Sequence, residues 1–133
     1  MIHTVRDWMT SPVLVVDPDS SVFYAATLMR RRNVRSLVVD LTAEKGGYGI
    51  VTSTDVSNKV LLAENNLSEM KVRDIMTAPV ITGKPEWSLK DASALMQQHK
   101  FHHLPIVDEH SVLVGIISDT DIFMAVEEIG WKK

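Results

Sequence analysis

The chain states nearly the same sequence twice, and that repetition constrains its fold more than any single residue does. Residues 5–39 align with residues 72–106 at an offset of 67, and 13 of those 35 positions are identical. The matches include Val5/Val72, Arg6/Arg73, Asp7/Asp74, Met9/Met76, Thr10/Thr77, Pro12/Pro79 and Val13/Val80. Further on, Gly49-Ile50-Val51-Thr52-Ser53-Thr54-Asp55-Val56 is matched by Gly115-Ile116-Ile117-Ser118-Asp119-Thr120-Asp121-Ile122. Two copies are too few for a solenoid. They fit a pseudo-twofold pair of small units that bury their faces against each other.

Each copy reads the same way. A short amphipathic turn, Val5 to Met9 or Val72 to Met76, is broken by Thr-x-Pro-Val, because the residue before proline avoids helical backbone angles. Val13 to Val16 is β-branched and predicts a strand, with Val80 to Thr82 as its weaker partner. Val22, Ala25, Ala26 and Met29 then fall on one helical stripe, as do Leu89, Ala92, Ser93 and Met96. Ser21 and Ser88 suit the N-caps of those helices. A strand follows, Ser36 to Val39 or Leu104 to Val107. A turn comes next, long at Leu41–Gly47 and tight at Asp108–Ser111. A second strand then leads into the Gly-to-Asp stretch. Helices close the copies over roughly Asp55 to Ala63 and Asp121 to Ile129. Each copy is thus a β-α-β-β-α arrangement of about 60 residues, small enough that the two are expected to share one core. The domain reading is 1–64, a linker at 65–71 within the polar segment Glu64–Lys71, and 72–133.

Composition removes several classes of function. The chain has 133 residues, is 45% hydrophobic and 23% charged, and carries a net charge of -3, as a globular protein does and a nucleic-acid binder generally does not. Arg30-Arg31-Arg32 is the only basic run, and it suits the C-terminal end of a helix dipole. With no cysteine there is no disulfide, thiolate nucleophile or Cys-ligated metal. No apolar run approaches the ~18 residues of a membrane span. Met1 to Met9 lacks the apolar stretch of a secretory signal. The expected setting is cytoplasmic, with neither membrane nor nucleic acid as partner. Asp-Asp and His-His pairs do not make an enzyme without an activated nucleophile, a metal set or a Gly-rich phosphate loop, so no catalytic residue and no metal site is assigned.

The paired Gly-to-Asp stretches are the candidate chemistry. A strand that passes into a helix with a hydroxyl and, three residues later, an Asp can cap that helix through Thr52 or Ser118. It can also hold a ligand: the hydroxyl and the free N–H groups suit a phosphate, and Asp55 or Asp121 can accept from sugar hydroxyls. The two roles are compatible. His102 and His103 are neighbours on a strand, so they point to opposite faces.

The repeated Val-Arg-Asp-x-Met-Thr-x-Pro-Val, the run Phe101-His102-His103-Leu104-Pro105-Ile106-Val107-Asp108 and the two Gly-to-Asp stretches together resemble a tandem pair of cystathionine-beta-synthase (CBS) domains, over nearly the whole chain. The resemblance implies an α/β (α+β) fold of two pseudo-twofold-related β-α-β-β-α units packed sheet against sheet as one CBS pair. It implies a non-catalytic regulatory module that binds an adenosine-containing ligand (AMP, ADP, ATP or S-adenosylmethionine) in the cleft between the two motifs. It also implies a homodimer of pairs, a conformational signal to an effector protein, and no required cofactor. By that resemblance Asp55 and Asp121 would accept from ribose, and Thr52 and Ser118 would touch ribose or phosphate. Thr10, Pro12 and Val13, with Thr77, Pro79 and Val80, would frame adenine. Arg35 and His102 would face phosphate, with Ser36 and His103 beside them. Thr54, Thr120 and Pro105 complete the candidate set.

The chain departs from that pattern in places. Thr54 and Thr120 stand where many adenylate-binding members carry Arg or Lys, Val38 stands where the second copy has Pro105, and Ser36 answers His103. The two clefts are therefore expected to be unequal. The competing reading is a structural dimerisation module with vestigial, ligand-free clefts.

Overall fold

The computed structural model describes residues 3–63 and 68–131. In chain order the elements are α1 (Val5–Trp8), β1 (Val15–Val16), α2 (Val22–Arg32), β2 (Ser36–Asp40), β3 (Tyr48–Thr52), α3 (Ser53–Asp55), α4 (Leu61–Ala63), α5 (Val72–Ile75), α6 (Leu89–His99), β4 (His103–Val107), β5 (Leu113–Ser118) and α7 (Asp119–Trp131). A π-helical turn, Val56–Val60, joins α3 to α4. The first closing helix is therefore interrupted where an unbroken one is expected, whereas α7 runs without a break.

The chain divides into two compact units, Leu14–Val80 and Met1–Val13 with Ile81–Lys133. This division differs from the sequence repeat. The opening turn of each copy lies in the unit built mainly from the other copy. Within the segment read as a linker, 64–67 lie outside the described residues, and Met70 is buried in the core of the 14–80 unit.

In the 14–80 unit β1 pairs parallel with β2, and β2 antiparallel with β3. Thr77 extends the sheet on the far side of β3 by exchanging two bonds of 2.9 Å with Ile50. One sheet face contributes Leu37, Val39 and Val51 to a core with Val22, Ala25 and Met29 of α2 and Val72 and Ile75 of α5. Val22, Ala25 and Met29 are three of the four stripe residues read from their spacing, the fourth, Ala26, being half-buried, and Ser21 caps α2 by accepting from the Tyr24 N–H at 3.0 Å. Arg30, Arg31 and Arg32 fill the exposed last turn of α2, which ends at Asn33 in the left-handed region. The Val72 and Arg73 N–H groups bond the Ser20 and Pro18 carbonyls, each at 2.9 Å. The Arg73 guanidinium grips both Glu44 carboxylate oxygens at 2.9 and 3.1 Å and fastens the long 41–47 turn.

The other unit repeats the plan with β4 antiparallel to β5, α6 and α1. Val5 is fully buried among Leu89, Ala92, Met96, Leu104, Ile106 and Ile117. Its N–H bonds the Trp87 carbonyl at 2.9 Å. Thr10 exchanges bonds of 2.8 and 3.0 Å with Ile116. Ser88 caps α6 through the Asp91 N–H at 3.0 Å.

The strand expected at Val80–Thr82 does not form; a single parallel bridge joins Gly83 to Ile106. In the 14–80 unit the Val38 N–H donates to the Leu14 carbonyl at 3.1 Å. At the matching place stands Pro105, which has no N–H, so the ladder loses a rung.

Candidate functional site

The hydroxyl and the aspartate of each Gly-to-Asp stretch meet at the point where a strand becomes a helix. In the 14–80 unit the Thr52 N–H donates to Asp55 Oδ2 at 2.9 Å, and Thr52 Oγ1 accepts from the Asp55 N–H at 3.1 Å. In the other unit the Ser118 N–H donates to Asp121 Oδ2 at 2.9 Å, and Ser118 Oγ accepts from the Asp121 N–H at 3.2 Å. The Ser118 hydroxyl also lies 3.0 Å from Asp121 Oδ2. Each pair is a reciprocal capping box. The cap uses one carboxylate oxygen and leaves the second for other work, so capping and ligand binding are compatible in this geometry.

That second oxygen differs between the units. Asp55 Oδ1 lies 3.3 Å from Lys59 Nζ, which also donates to the Ile75 carbonyl at 2.7 Å. Position 125, four residues past Asp121 as 59 is past Asp55, is a buried alanine. Among the described residues none bonds Asp121 Oδ1. Lys59 was not a sequence candidate, although an Asp and a Lys four residues apart on a helix signal such a pair.

The strand register distributes the remaining candidates. Ser36 stands opposite Thr52, and His103 opposite Ser118, so these pairs share a sheet face with the capping hydroxyls. Arg35 and His102 leave the sheet on the other face. His102 Nδ1 lies 2.8 Å from Asp119 Oδ2, and both side chains line a groove of about 400 Å³ with Ser93, Met96, Lys100 and Phe101. The two histidines therefore diverge, as their adjacency requires. Arg35 is exposed, and among the described residues its guanidinium has no bonding partner; its carbonyl accepts from the Ser53 N–H at 2.9 Å. The His102 carbonyl likewise accepts from the Asp119 N–H at 3.0 Å. Asp119 thus occupies the place of Ser53, a charge that the sequence motif hid in a variable position.

His103 is held below the ordinary histidine pKa, mainly by burial and also by His102; Asp119 and Asp121 oppose the shift. Burial therefore favours the neutral ring over the charged one. Thr10 and Pro12 are exposed beside β5, and Thr77 and Pro79 are exposed beside β3. Both Ser11-Pro12 and Ala78-Pro79 are cis. The approach of these segments depends on Gly49 and Gly115. A Cβ at Gly49 would lie 3.0 Å from the Thr77 carbonyl oxygen, and one at Gly115 would lie 3.2 Å from that of Thr10. Val13 and Val80 are half-buried, Thr54 and Thr120 are exposed, and Pro105 is fully buried. Among the described residues no group of three potential ligands could hold a metal, and no helix is long and apolar enough to cross a membrane.

Fold and site together define a mixed helix–strand repeat protein in which each compact unit carries one hydroxyl–carboxylate box beside a Thr-x-Pro-Val segment. The CBS domain family model matches residues 5–62 and 72–128, and the chain belongs to that family. It is 36% identical over 122 residues to the CBS domain-containing protein YhcV of Bacillus subtilis, covering 91% of this chain and 84% of that protein. By contrast, it spans only 23% of the homoserine O-acetyltransferase of Methanosphaerula palustris, to which 87% of it aligns at 34% identity. CBS pairs are in general regulatory rather than catalytic. The fold matches the CBS domain pair of protein MJ0100, solved in complex with 5'-methylthioadenosine and S-adenosyl-L-methionine (TM-score 0.82, 27% identity, 100% of both chains). It also matches CBSX2 in complex with AMP (TM-score 0.76, 28% identity, 96% of this chain and 98% of that one).

Proposed function

We propose that this chain is a non-catalytic sensor that binds an adenosine-containing ligand (AMP, ADP, ATP or S-adenosylmethionine) and passes a conformational signal to an effector protein. The observation that carries the reading is the twice-built box in which Thr52 with Asp55, and Ser118 with Asp121, stand at a sheet end beside an exposed Thr-x-Pro-Val edge segment. A carboxylate with one oxygen committed to the helix cap can offer the other to a vicinal diol, at Asp121 directly and at Asp55 in company with Lys59. The edge segment offers backbone groups and a proline face to a flat base. The adenosyl ligands of MJ0100 and CBSX2 support the class of ligand. Signalling requires that the ligand bind two conformations with different affinity. The cysteine-free composition fits a cytoplasmic setting.

Thermal unfolding against AMP, ADP, ATP, S-adenosylmethionine, NAD, GMP and GTP, with and without magnesium, tests the reading. Ligand at ~100 times its Kd adds about 2.7 kcal/mol, a rise of several degrees. The rise should be lost in Asp55→Ala, Asp121→Ala or both. A flat panel refutes the sensing function.

A second reading draws on the exposed apolar side chains Phe23 (56%), Leu62 (84%), Phe123 (70%) and Val126 (63%). These support a second copy of this chain as partner, and a homodimer of pairs serves either a sensor or a ligand-free dimerisation module. A dimer whose stability ignores every nucleotide and both Asp→Ala variants selects the latter.

A further inference from the structure

The helices that follow the two boxes are out of register by one residue. Five residues past Asp55, Val60 is buried in the core of the 14–80 unit; four residues past Asp121, Ala125 is buried in the core of the other. The π-helical turn Val56–Val60 absorbs the extra residue, because its bonds run from i to i+5, and α7 has no such turn. Lys59 is thereby turned out of the core. Its side chain is 47% exposed, and its ammonium lies 3.3 Å from Asp55 Oδ1, the carboxylate oxygen that the helix cap leaves over. Asp55 itself is only 16% exposed.

An ammonium carries three N–H donors. One of those on Lys59 bonds the Ile75 carbonyl at 2.7 Å, a second lies against Asp55 Oδ1, and the third has no partner among the described residues. A carboxylate can only accept, whereas a hydroxyl both donates and accepts. A hydroxyl that donates to Asp55 Oδ1 brings the oxygen of its vicinal neighbour within reach of an ammonium 3.3 Å away. Bonds from a charged donor are among the stronger ones. In the other unit Ala125 supplies no donor, and Asp121 stands alone.

We infer that Lys59 is a specificity-determining residue of the 14–80 unit, where Asp55 accepts from one hydroxyl of a vicinal diol and Lys59 donates to the oxygen of the other. This clamp deepens the adenosyl-binding reading, on which it rests, by naming the part of the ligand that the 14–80 box reads with two side chains.

Titration calorimetry of the full chain carrying Asp121→Ala tests it, with adenosine, 2'-deoxyadenosine and 3'-deoxyadenosine as probes. All three hold the same base and differ only in the diol. Lys59→Met is expected to weaken adenosine roughly tenfold. It should leave one of the two deoxynucleosides within about twofold of its former affinity, because the bond it removes is already absent there. A merely structural role for Lys59 would weaken all three probes alike. Lys59→Ala should give the same contrast, and Lys59→Arg, which keeps a charged donor, should restore it in part. If Lys59→Met weakens all three probes by one factor, or weakens none, the clamp is refuted while nucleotide sensing stands on the thermal panel. If adenosine does not bind, or binds undiminished when Asp55→Ala is added, the clamp is also refuted; a flat thermal panel removes the sensing function with it.

Discussion

Lys59 Nζ bridges Asp55 Oδ1, at 3.3 Å, and the Ile75 carbonyl, at 2.7 Å. It therefore ties the π-helical turn to α5, and at the matching place Ala125 is buried and makes no such tie. Lys59 is half exposed, so solvent screens the ion pair and the hydrogen bond dominates. Lys59→Met is expected to cost about 1 kcal/mol in urea unfolding. A change of several kcal/mol would mean that Lys59 has a structural role beyond these two contacts.

Thr52→Ala and Ser118→Ala each remove a hydroxyl that accepts the N–H of the aspartate three residues on. Each is expected to lower stability by about 1 kcal/mol, read as a few degrees in melting temperature. Thr54→Ala and Thr120→Ala change exposed side chains with no cap and should stay within about 0.5 kcal/mol. Equal losses at all four sites would contradict the capping geometry.

Gly49→Ala places a methyl 3.0 Å from the Thr77 carbonyl oxygen and 3.1 Å from Ala78 Cβ. The edge segment must then move away from β3. The expected cost is about 1–3 kcal/mol; under the proposed function nucleotide binding weakens too, because Thr77 and Pro79 move with the segment. A variant as stable as the parent, with the Thr77 amide still protected from hydrogen exchange, would show that the close approach is not needed.

Burial holds His103 below the ordinary histidine value of 6.5. The unfolded chain therefore binds this proton before the folded one does. The contribution is complete above pH 6.5 and is lost as pH falls from there towards the lower folded value. Melting temperature should drop on acidification through this window, and less so in His103→Asn. Asp19, Asp40 and Asp108 lie below their ordinary 3.8, held there by the Arg73, Thr42 and Val112 bonds respectively. Their contributions are present above pH 3.8 and are lost as pH falls below it, so the decline that begins at pH 6.5 belongs to His103.

A fragment of residues 14–80 is expected to show more protected amides in hydrogen exchange than one of residues 1–64. The first includes Val72 and Ile75, which complete its core; the second lacks both and leaves Val5 without Leu104 and Ile106. Greater protection in 1–64 would favour the repeat boundaries as the folding division.

The sequence by itself determined the family, the two copies, the helix stripes Val22–Ala25–Met29 and Leu89–Ala92–Met96, and the hydroxyl–carboxylate pairs. Those signals are local: periodicity, caps and short motifs act within a few residues of themselves. It also carried the divergence of His102 from His103, which follows from strand alternation. Tertiary structure decided what depends on distant partners. Val5 and Val72 are identical in context, yet each is buried in the unit built from the other copy, because the alignment records likeness and not contact. Pro105 shortened a sheet by withholding one N–H from a neighbour that only the fold supplies. The fate of each second carboxylate oxygen was likewise decided there, because Lys59 reaches both Asp55 Oδ1 and the Ile75 carbonyl only once the π-helical turn packs on α5.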